Sequence, residues 1–133
     1  MGAWCWGYGA ALLVMGALDA VWLGYLARDF YRQEMGPLMT QQVGWLPAAL
    51  FYLAYPAGLV TLALQPLPES AMGALGRAAL VGLVAYGTYD LTNLAVLRGA
   101  SVKLALVDLA WGVLASAVAG IAAYFAMQRA ALT

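Results

Sequence analysis

The sequence predicts an all-α fold, an integral membrane four-helix bundle formed by a single transmembrane domain, residues 1–133. Two features of the composition support this prediction: 65% of the 133 residues are hydrophobic and only 9% are charged. A soluble domain carries about 25% charged residues, because it needs a polar surface. The third observation is that four apolar segments reach the roughly 20 residues that a helix needs to cross a hydrocarbon core about 30 Å thick. The predicted spans are about 2–27, 45–64, 71–97 and 102–127.

The first predicted span contains a single charged residue, Asp19. A cleaved signal peptide is the competing interpretation, but a signal peptide begins with basic residues and has a shorter apolar core. We therefore expect this segment to stay in the membrane. The long connection from Arg28 to Gly44 fits either a short amphipathic segment at the lipid headgroups or a plain loop. Its apolar residues include Phe30, Tyr31, Met35, Leu38 and Met39.

The second span has Pro47 in its first turn, where the missing N–H of proline does no harm. Pro56 lies in its interior and leaves a backbone carbonyl without its usual donor. The segment from Tyr52 to Pro56 is therefore predicted to face protein or a polar cavity. Only residues 98–101 separate the third span from the fourth, and such a short connection predicts an antiparallel helix hairpin.

The composition excludes several functional classes. Six basic and six acidic residues give a net charge of zero, so nucleic acid is not a predicted partner. The chain has no histidine, which removes the usual ligand sets of haem, zinc and copper and the histidine base of hydrolytic sites. We predict no metal and no cofactor. The predicted partner is the lipid bilayer, and a homodimer or a membrane-protein partner stays open.

Basic residues are divided unevenly between the two faces of the predicted bundle. The face of the first and third connections has four and the opposite face has two: Arg28, Arg32, Arg98 and Lys103 against Arg77 and Arg129. Because loops rich in lysine and arginine remain in the cytoplasm, we expect the first and third connections to be cytoplasmic and both termini to lie on the other side.

Three of the six acidic residues, Asp19, Asp90 and Asp108, fall inside predicted spans. Each costs at least about 2.5–3.5 kcal/mol near a helix centre, so each should face the bundle and have a partner. At about 1.5 Å per residue, they lie about 13, 12 and 8 Å from the basic residues that mark the nearest membrane boundary. Tyr52 and Tyr55 of the second span fall at a similar depth. All four helices are thus expected to send polar groups to one layer.

Helix spacing groups these residues further. Tyr86, Tyr89, Asp90 and Asn93 follow an i, i+3, i+4, i+7 pattern and form one polar stripe on the third helix. The spacing DxxW occurs in the first and fourth spans, and an indole N–H could donate to a carboxylate directly or from a neighbouring helix. The candidate binding residues are Asp19, Trp22, Tyr52, Tyr55, Tyr86, Tyr89, Asp90, Asn93, Asp108 and Trp111.

The first interpretation of this layer is a pocket for a small molecule or cation, with binding or transport coupled to protons. Three carboxylates at one depth repel one another when ionised, which favours proton or cation exchange. Asp90 is the expected central group. A hard metal ion bound by oxygen ligands is the weaker form of this hypothesis, because nothing in the sequence fixes the ligand count.

Two other functions stay open, and the sequence does not decide whether the protein is an enzyme. A membrane enzyme acting on a lipid or isoprenoid would use one aspartate as acid and another as base. A structural subunit of a membrane complex would use the polar layer only to join helices. Asp19 alone favours that structural role. Asp90 together with Asp108 favours a functional site, because uncharged residues would join two helices at lower cost.

Two sequence runs resemble a known family. AYGTYDLTNLAVLR, from Ala85 to Arg98, and VDLAWG, from Val107 to Gly112, resemble a family of small predicted bacterial inner-membrane proteins of unknown function. The runs LDAVWLG at 18–24, FYR at 30–32 and ALFYLAYPAGL at 49–59 fit the same pattern. The resemblance implies a four-helix, multi-pass protein of the bacterial inner membrane. Together with the charge count it places the termini in the periplasm, and it implies no activity.

Overall fold

The computed structural model describes residues 2–36 and 44–132, and within these ranges it contains helices and no β-strand. A π-helical turn, Trp22–Leu26, continues the first helix. The helices are α1 Gly2–Val21, α2 Arg28–Met35, α3 Trp45–Leu64, α4 Ala71–Val96 and α5 Val102–Ala131. Leu38 and Met39 of the first connection lie outside the described residues.

Four of the described helices are long and apolar enough to cross a membrane, with mean hydropathies from 1.3 to 2.0 over their most apolar stretches. They confirm the predicted all-α membrane bundle. Their bounds agree with the prediction within one residue, except that the fourth continues to Ala131. The structure also decides between the two alternatives for the start of the first connection, because Arg28–Met35 is a helix.

The central helix is α5, which makes its most extensive contacts with α4 and α1. Between Gly112 and Gly120 its buried residues are only glycine, alanine and serine, and such small residues let helices approach closely. A methyl group added at Gly112 would lie 2.1 Å from the ring of Tyr86 on α4. One added at Gly120 would lie 2.2 Å from Cβ of Ala78. The contact between α4 and α5 therefore depends on glycine at these positions.

A stripe of buried residues on α1 faces the rest of the bundle. Gly7, Ala11, Met15 and Asp19 recur every four residues, so they lie on one side of the helix. The first three pack among apolar side chains. Asp19 is the last member of the stripe, and the same helical spacing directs its carboxylate into the bundle.

Only the second half of α3 is packed inside the protein. Its buried residues begin at Pro56 and continue to Leu64, as expected if the proline faces protein. In the first half, Leu46, Leu50 and Leu53 are 72%, 58% and 55% exposed. The Tyr8 hydroxyl donates a 2.8 Å hydrogen bond to the Leu53 carbonyl, one turn before the proline. Such bonds from neighbouring helices stabilise backbone groups around a proline within a membrane.

The predicted hairpin of the third and fourth spans is confirmed by the packing of α4 against α5. Its turn contains Gly99, whose φ of +80° is a left-handed conformation that glycine adopts without steric cost. Ser101 follows as the N-cap of α5, and its side chain accepts a 3.0 Å hydrogen bond from the backbone N–H of Leu104. This turn places Asp108 two helical turns below the start of α5.

Candidate functional site

Asp19 joins three helices through hydrogen bonds. Its Oδ2 accepts a 2.8 Å bond from the Tyr52 hydroxyl of α3, and its Oδ1 accepts a 2.8 Å bond from Nε1 of Trp111 on α5. The side chain is only 6% exposed. Both carboxylate oxygens act as acceptors, which is the pattern of the ionised form.

Asp108 is bound from outside the four spans. Its Oδ1 accepts a 2.6 Å hydrogen bond from the hydroxyl of Tyr31 on α2. The Tyr31 oxygen in turn accepts a 3.3 Å bond from Nε1 of Trp22, whose ring is stacked on Trp111 with centroids 4.5 Å apart. Burial, and then the hydrogen bond to the Asp108 carboxylate, raise the pKa of the Tyr31 phenol above its usual range. Tyr31 therefore remains a donor to Asp108 at neutral pH.

Asp90 is the acidic residue with an unsatisfied oxygen. It lies on α4, is 5% exposed, and lines the same cavity as Asp108. Its Oδ2 is buried and has no hydrogen-bond partner among the residues that the structure describes. Two carboxyl groups beside one buried cavity repel each other when both are ionised.

Two cavities lie on either side of Asp108. The larger, here called the aromatic cavity, has a volume of about 470 Å³ between α1, α3, α4 and α5. The smaller, here called the acidic cavity, has a volume of about 320 Å³ beneath α2 and the turn from α4 to α5. The aromatic cavity is walled by Phe51, Tyr52, Tyr86, Tyr89 and Trp111, with Asp19 and Asp108. The acidic cavity is defined by Glu34, Asp90 and Asp108, with Tyr31, Asn93 and Ser101.

Both cavities are lined by acidic side chains as well as apolar ones. No lysine or arginine among residues 2–36 and 44–132 lines either of them. Asp108 borders both, together with Tyr89 and Leu23. The described acidic and cysteine side chains nevertheless form no group of three that could hold one metal ion. Acidic side chains without a basic partner attract positively charged groups.

The comparison with known families agrees with the sequence runs identified above. The family model described as "Predicted membrane protein (DUF2177)" matches residues 4–125, a range that includes both cavities' aspartates. The chain belongs to this family. No curated protein and no solved structure matches it.

The structure of this DUF2177 protein places most of the predicted site residues around the two cavities. Trp22 lines neither cavity; its ring is stacked on the ring of Trp111, which lines the aromatic cavity. Tyr55 lines neither cavity; its hydroxyl shares a 2.6 Å hydrogen bond with Ser116 and its ring packs edge-on against Tyr86. Tyr89 and Asp108 line both cavities. The aromatic cavity is also lined by Asp19, Tyr52, Tyr86 and Trp111, and the acidic cavity is also lined by Asp90 and Asn93.

Neither DxxW tryptophan of this chain donates to the aspartate of its own helix. The Trp111 indole donates to Asp19 of α1, not to Asp108 of its own helix. Trp22 donates to Tyr31 and has no carboxylate partner among the described side chains. The alternative of a donor from a neighbouring helix is thus observed for Trp111 alone.

Four residues that line the two cavities were not among the candidates predicted from the sequence. Tyr31 and Glu34 are three residues apart on α2 and both line the acidic cavity. Their i, i+3 spacing was the available signal, and it required the connection to be helical. Ser101 donates a short hydrogen bond to Glu34 while it caps α5. Phe51 stands one position before Tyr52, and no sequence signal distinguishes it from the apolar residues around it.

Proposed function

We propose that this protein binds a small organic cation, such as a protonated amine, at Asp90 and Asp108 and exchanges it for a proton. The exchange would be one step in carrying the cation across the bacterial inner membrane. One observation supports this above all: the buried Oδ2 of Asp90 lines a cavity and has no partner among the described residues.

An unsatisfied carboxylate oxygen in the membrane interior is costly, because neither water nor lipid replaces the missing donor there. Asp90 shares the acidic cavity with Asp108, and its Oδ2 is left for another donor. A ligand with N–H groups would supply that donor. The acidic cavity beside it is large enough for a small organic molecule.

The charge of the lining supports a cation over an anion or a neutral ligand. Glu34, Asp90 and Asp108 all line the acidic cavity, and no basic side chain of the described chain does so. Two carboxylates in one buried cavity repel each other, so in this proposal one of them holds a proton until a protonated amine takes its place. Binding then releases this proton, which couples the ligand to the proton gradient.

Asp19 has a different role in this proposal. Both of its oxygens accept a hydrogen bond from a neighbouring helix, so it joins α1, α3 and α5, and neither oxygen lacks a donor as Oδ2 of Asp90 does. The structural hypothesis therefore fits Asp19, whereas the functional hypothesis fits Asp90 and Asp108.

The proposal is tested by proton release. Butylammonium is added to the detergent-solubilised protein in weak buffer, and a pH indicator records the protons released. The wild type is expected to release about one proton per cation bound, because a pair that shares one proton gives it up to the ligand. Asp90→Asn should release none. Glu69→Gln, at an exposed acid in the connection between α3 and α4, is the matched control and should behave like the wild type.

A second variant tests the proposal if Asp90→Asn does not fold. Asn93→Leu narrows the acidic cavity without altering a carboxyl group and should weaken butylammonium binding. Native mass spectrometry of the wild type then reports whether a copurified molecule and a second subunit are bound. Equal proton release from wild type and a folded Asp90→Asn would contradict the proposal.

A further inference from the structure

The aromatic cavity opens between α3 and α4. Phe51 on α3 and Tyr89 on α4 line it and are 42% and 57% exposed, so the mouth lies between these two residues. Both helices are membrane-crossing segments. The first half of α3, which forms one side of the mouth, has no buried residue before Pro56. The mouth of the cavity therefore faces the lipid chains rather than water.

The inner wall of this cavity carries two carboxyl groups. Asp19 accepts two hydrogen bonds, and Asp108 lies further along the same wall. None of the lysines and arginines, all of which fall in residues 2–36 or 44–132, lines the cavity. Charge attraction is strong where water is excluded, so a cation in the cavity would be stabilised by both carboxylates.

The remaining wall consists largely of aromatic rings. Phe51, Tyr52, Tyr86 and Tyr89 surround the space from two helices, and Trp111 closes it from α5. Aromatic faces attract cations, and cages of aromatic rings recognise quaternary ammonium groups, which have no N–H to donate. Such a ligand suits this cavity, because the oxygens of Asp19 already have their donors.

We infer that the aromatic cavity is a second binding site, for a lipophilic organic cation that carries an aryl or alkyl group and enters from the bilayer between α3 and α4. It differs from the site in the acidic cavity: the two cavities share Asp108, but Asp90 lines only the acidic cavity and Asp19 only the aromatic cavity. The apolar group would lie among the rings of Phe51 and Tyr89 at the mouth. The cationic group would lie deeper, toward Asp19 and Asp108.

The test compares two probes of the same shape. Benzyltrimethylammonium has a permanent charge and no proton to exchange, and neopentylbenzene is its neutral counterpart with carbon in place of nitrogen. Equilibrium dialysis against protein in neutral detergent micelles, corrected for empty micelles, measures both. The charged probe is expected to bind about tenfold more tightly than the neutral one, from charge attraction and contact with the rings.

Two matched alanines locate the site. Ala85 lines only the aromatic cavity and Ala100 only the acidic cavity, and both are half-buried. Ala85→Leu should weaken benzyltrimethylammonium binding about tenfold by filling the space, whereas Ala100→Leu should leave it unchanged. Proton release by butylammonium should be weakened in Ala100→Leu and unchanged in Ala85→Leu. Failure of one proposal is therefore distinguishable from failure of the other.

Phe51→Leu provides a further variant at a position that is 42% exposed. It removes an aromatic face and should reduce affinity for the charged probe more than for the neutral one. Equal binding of the two probes, or wild-type affinity in a folded Ala85→Leu protein, would overturn the inference.

Discussion

The phenol hydroxyl of Tyr31 donates a 2.6 Å hydrogen bond to Oδ1 of Asp108. Tyr31 belongs to α2, which lies outside the four spans, whereas Asp108 lies inside the fourth. One turn further along α2, Glu34 accepts a short hydrogen bond from Ser101, the N-cap of α5. Two side-chain contacts thus fasten α2 over the acidic cavity.

Removal of the Tyr31 hydroxyl should loosen α2. A hydrogen bond to a charged group contributes about 1.5–3 kcal/mol, and an isolated helix of eight residues has little stability of its own. In Tyr31→Phe we expect faster hydrogen exchange of the α2 amides, with α4 unchanged, by mass spectrometry. Tyr25→Phe makes the same chemical change at a residue that is 81% exposed. Identical exchange in the two variants would show that the bond does not hold α2.

The same hydroxyl makes stability sensitive to alkaline pH. Burial, and then the bond to Asp108, raise the pKa of Tyr31 in the folded protein above the usual value of about 10. The unfolded chain therefore loses this proton first as the pH rises, and the contribution of the neutral phenol, complete below about pH 10, declines above it. The stability difference between wild type and Tyr31→Phe should be constant from pH 7 to 9 and shrink above pH 10. Unfolding by SDS in mixed micelles measures it, with Tyr25→Phe as reference; a difference that grows with pH would refute the assignment.

Two N-cap serines separate helix capping from the contact with α2. Ser70 accepts a 3.1 Å bond from the Gly73 N–H, and Ser101 accepts a 3.0 Å bond from the Leu104 N–H while also donating to Glu34. Loss of a cap costs about 0.5–2 kcal/mol. Ser101→Ala should lower the free energy of unfolding more than Ser70→Ala does. In a Glu34→Ala background the losses of unfolding free energy in Ser101→Ala and Ser70→Ala should become similar. A larger loss for Ser101→Ala that persists in this background would show that it does not come from the bond to Glu34.

The close approach of α4 and α5 predicts a strong effect of one methyl group. In Gly112→Ala, the new Cβ would meet the Tyr86 ring, and overpacking of this kind costs about 1–3 kcal/mol. Because Tyr86 also walls the aromatic cavity, binding of benzyltrimethylammonium should weaken as well. Gly76→Ala is the control on α4, since nothing lies within 4 Å of its added Cβ. SDS unfolding of both variants checks the prediction, and equal stabilities would contradict it.

The depth of the polar layer could be predicted from the sequence because a helix has a fixed rise per residue. That regularity brought Asp19, Tyr52 and Asp108 to a common region, and the spacing of four residues directed Asp19 inward. The spans followed equally directly from the length of apolar sequence that a bilayer requires.

Depth does not fix the rotation of one helix against another, and the partners depend on that rotation. Tyr52 and Tyr55 were expected at a similar depth, but their partners differ: the Tyr52 hydroxyl binds Asp19 and the Tyr55 hydroxyl binds Ser116. The Trp111 indole likewise donates to α1 rather than to its own helix. Tyr31 was missed for another reason: α2 is short, and its position depends on contacts with α5 that local sequence does not specify.

Pro56 stands at the point where α3 changes from exposed to packed, and its ring deprives the carbonyl of Tyr52 of the usual helical donor. The helical hydrogen bond missing at Pro56 is thus that of the residue whose hydroxyl binds Asp19. A bend at this turn would move the first half of α3 against the packed half. An outward bend would widen the entrance at Phe51 and withdraw the Tyr52 hydroxyl from Asp19 in a single motion. Such a bend would couple the inferred entry from the bilayer to the hydrogen bonding of Asp19.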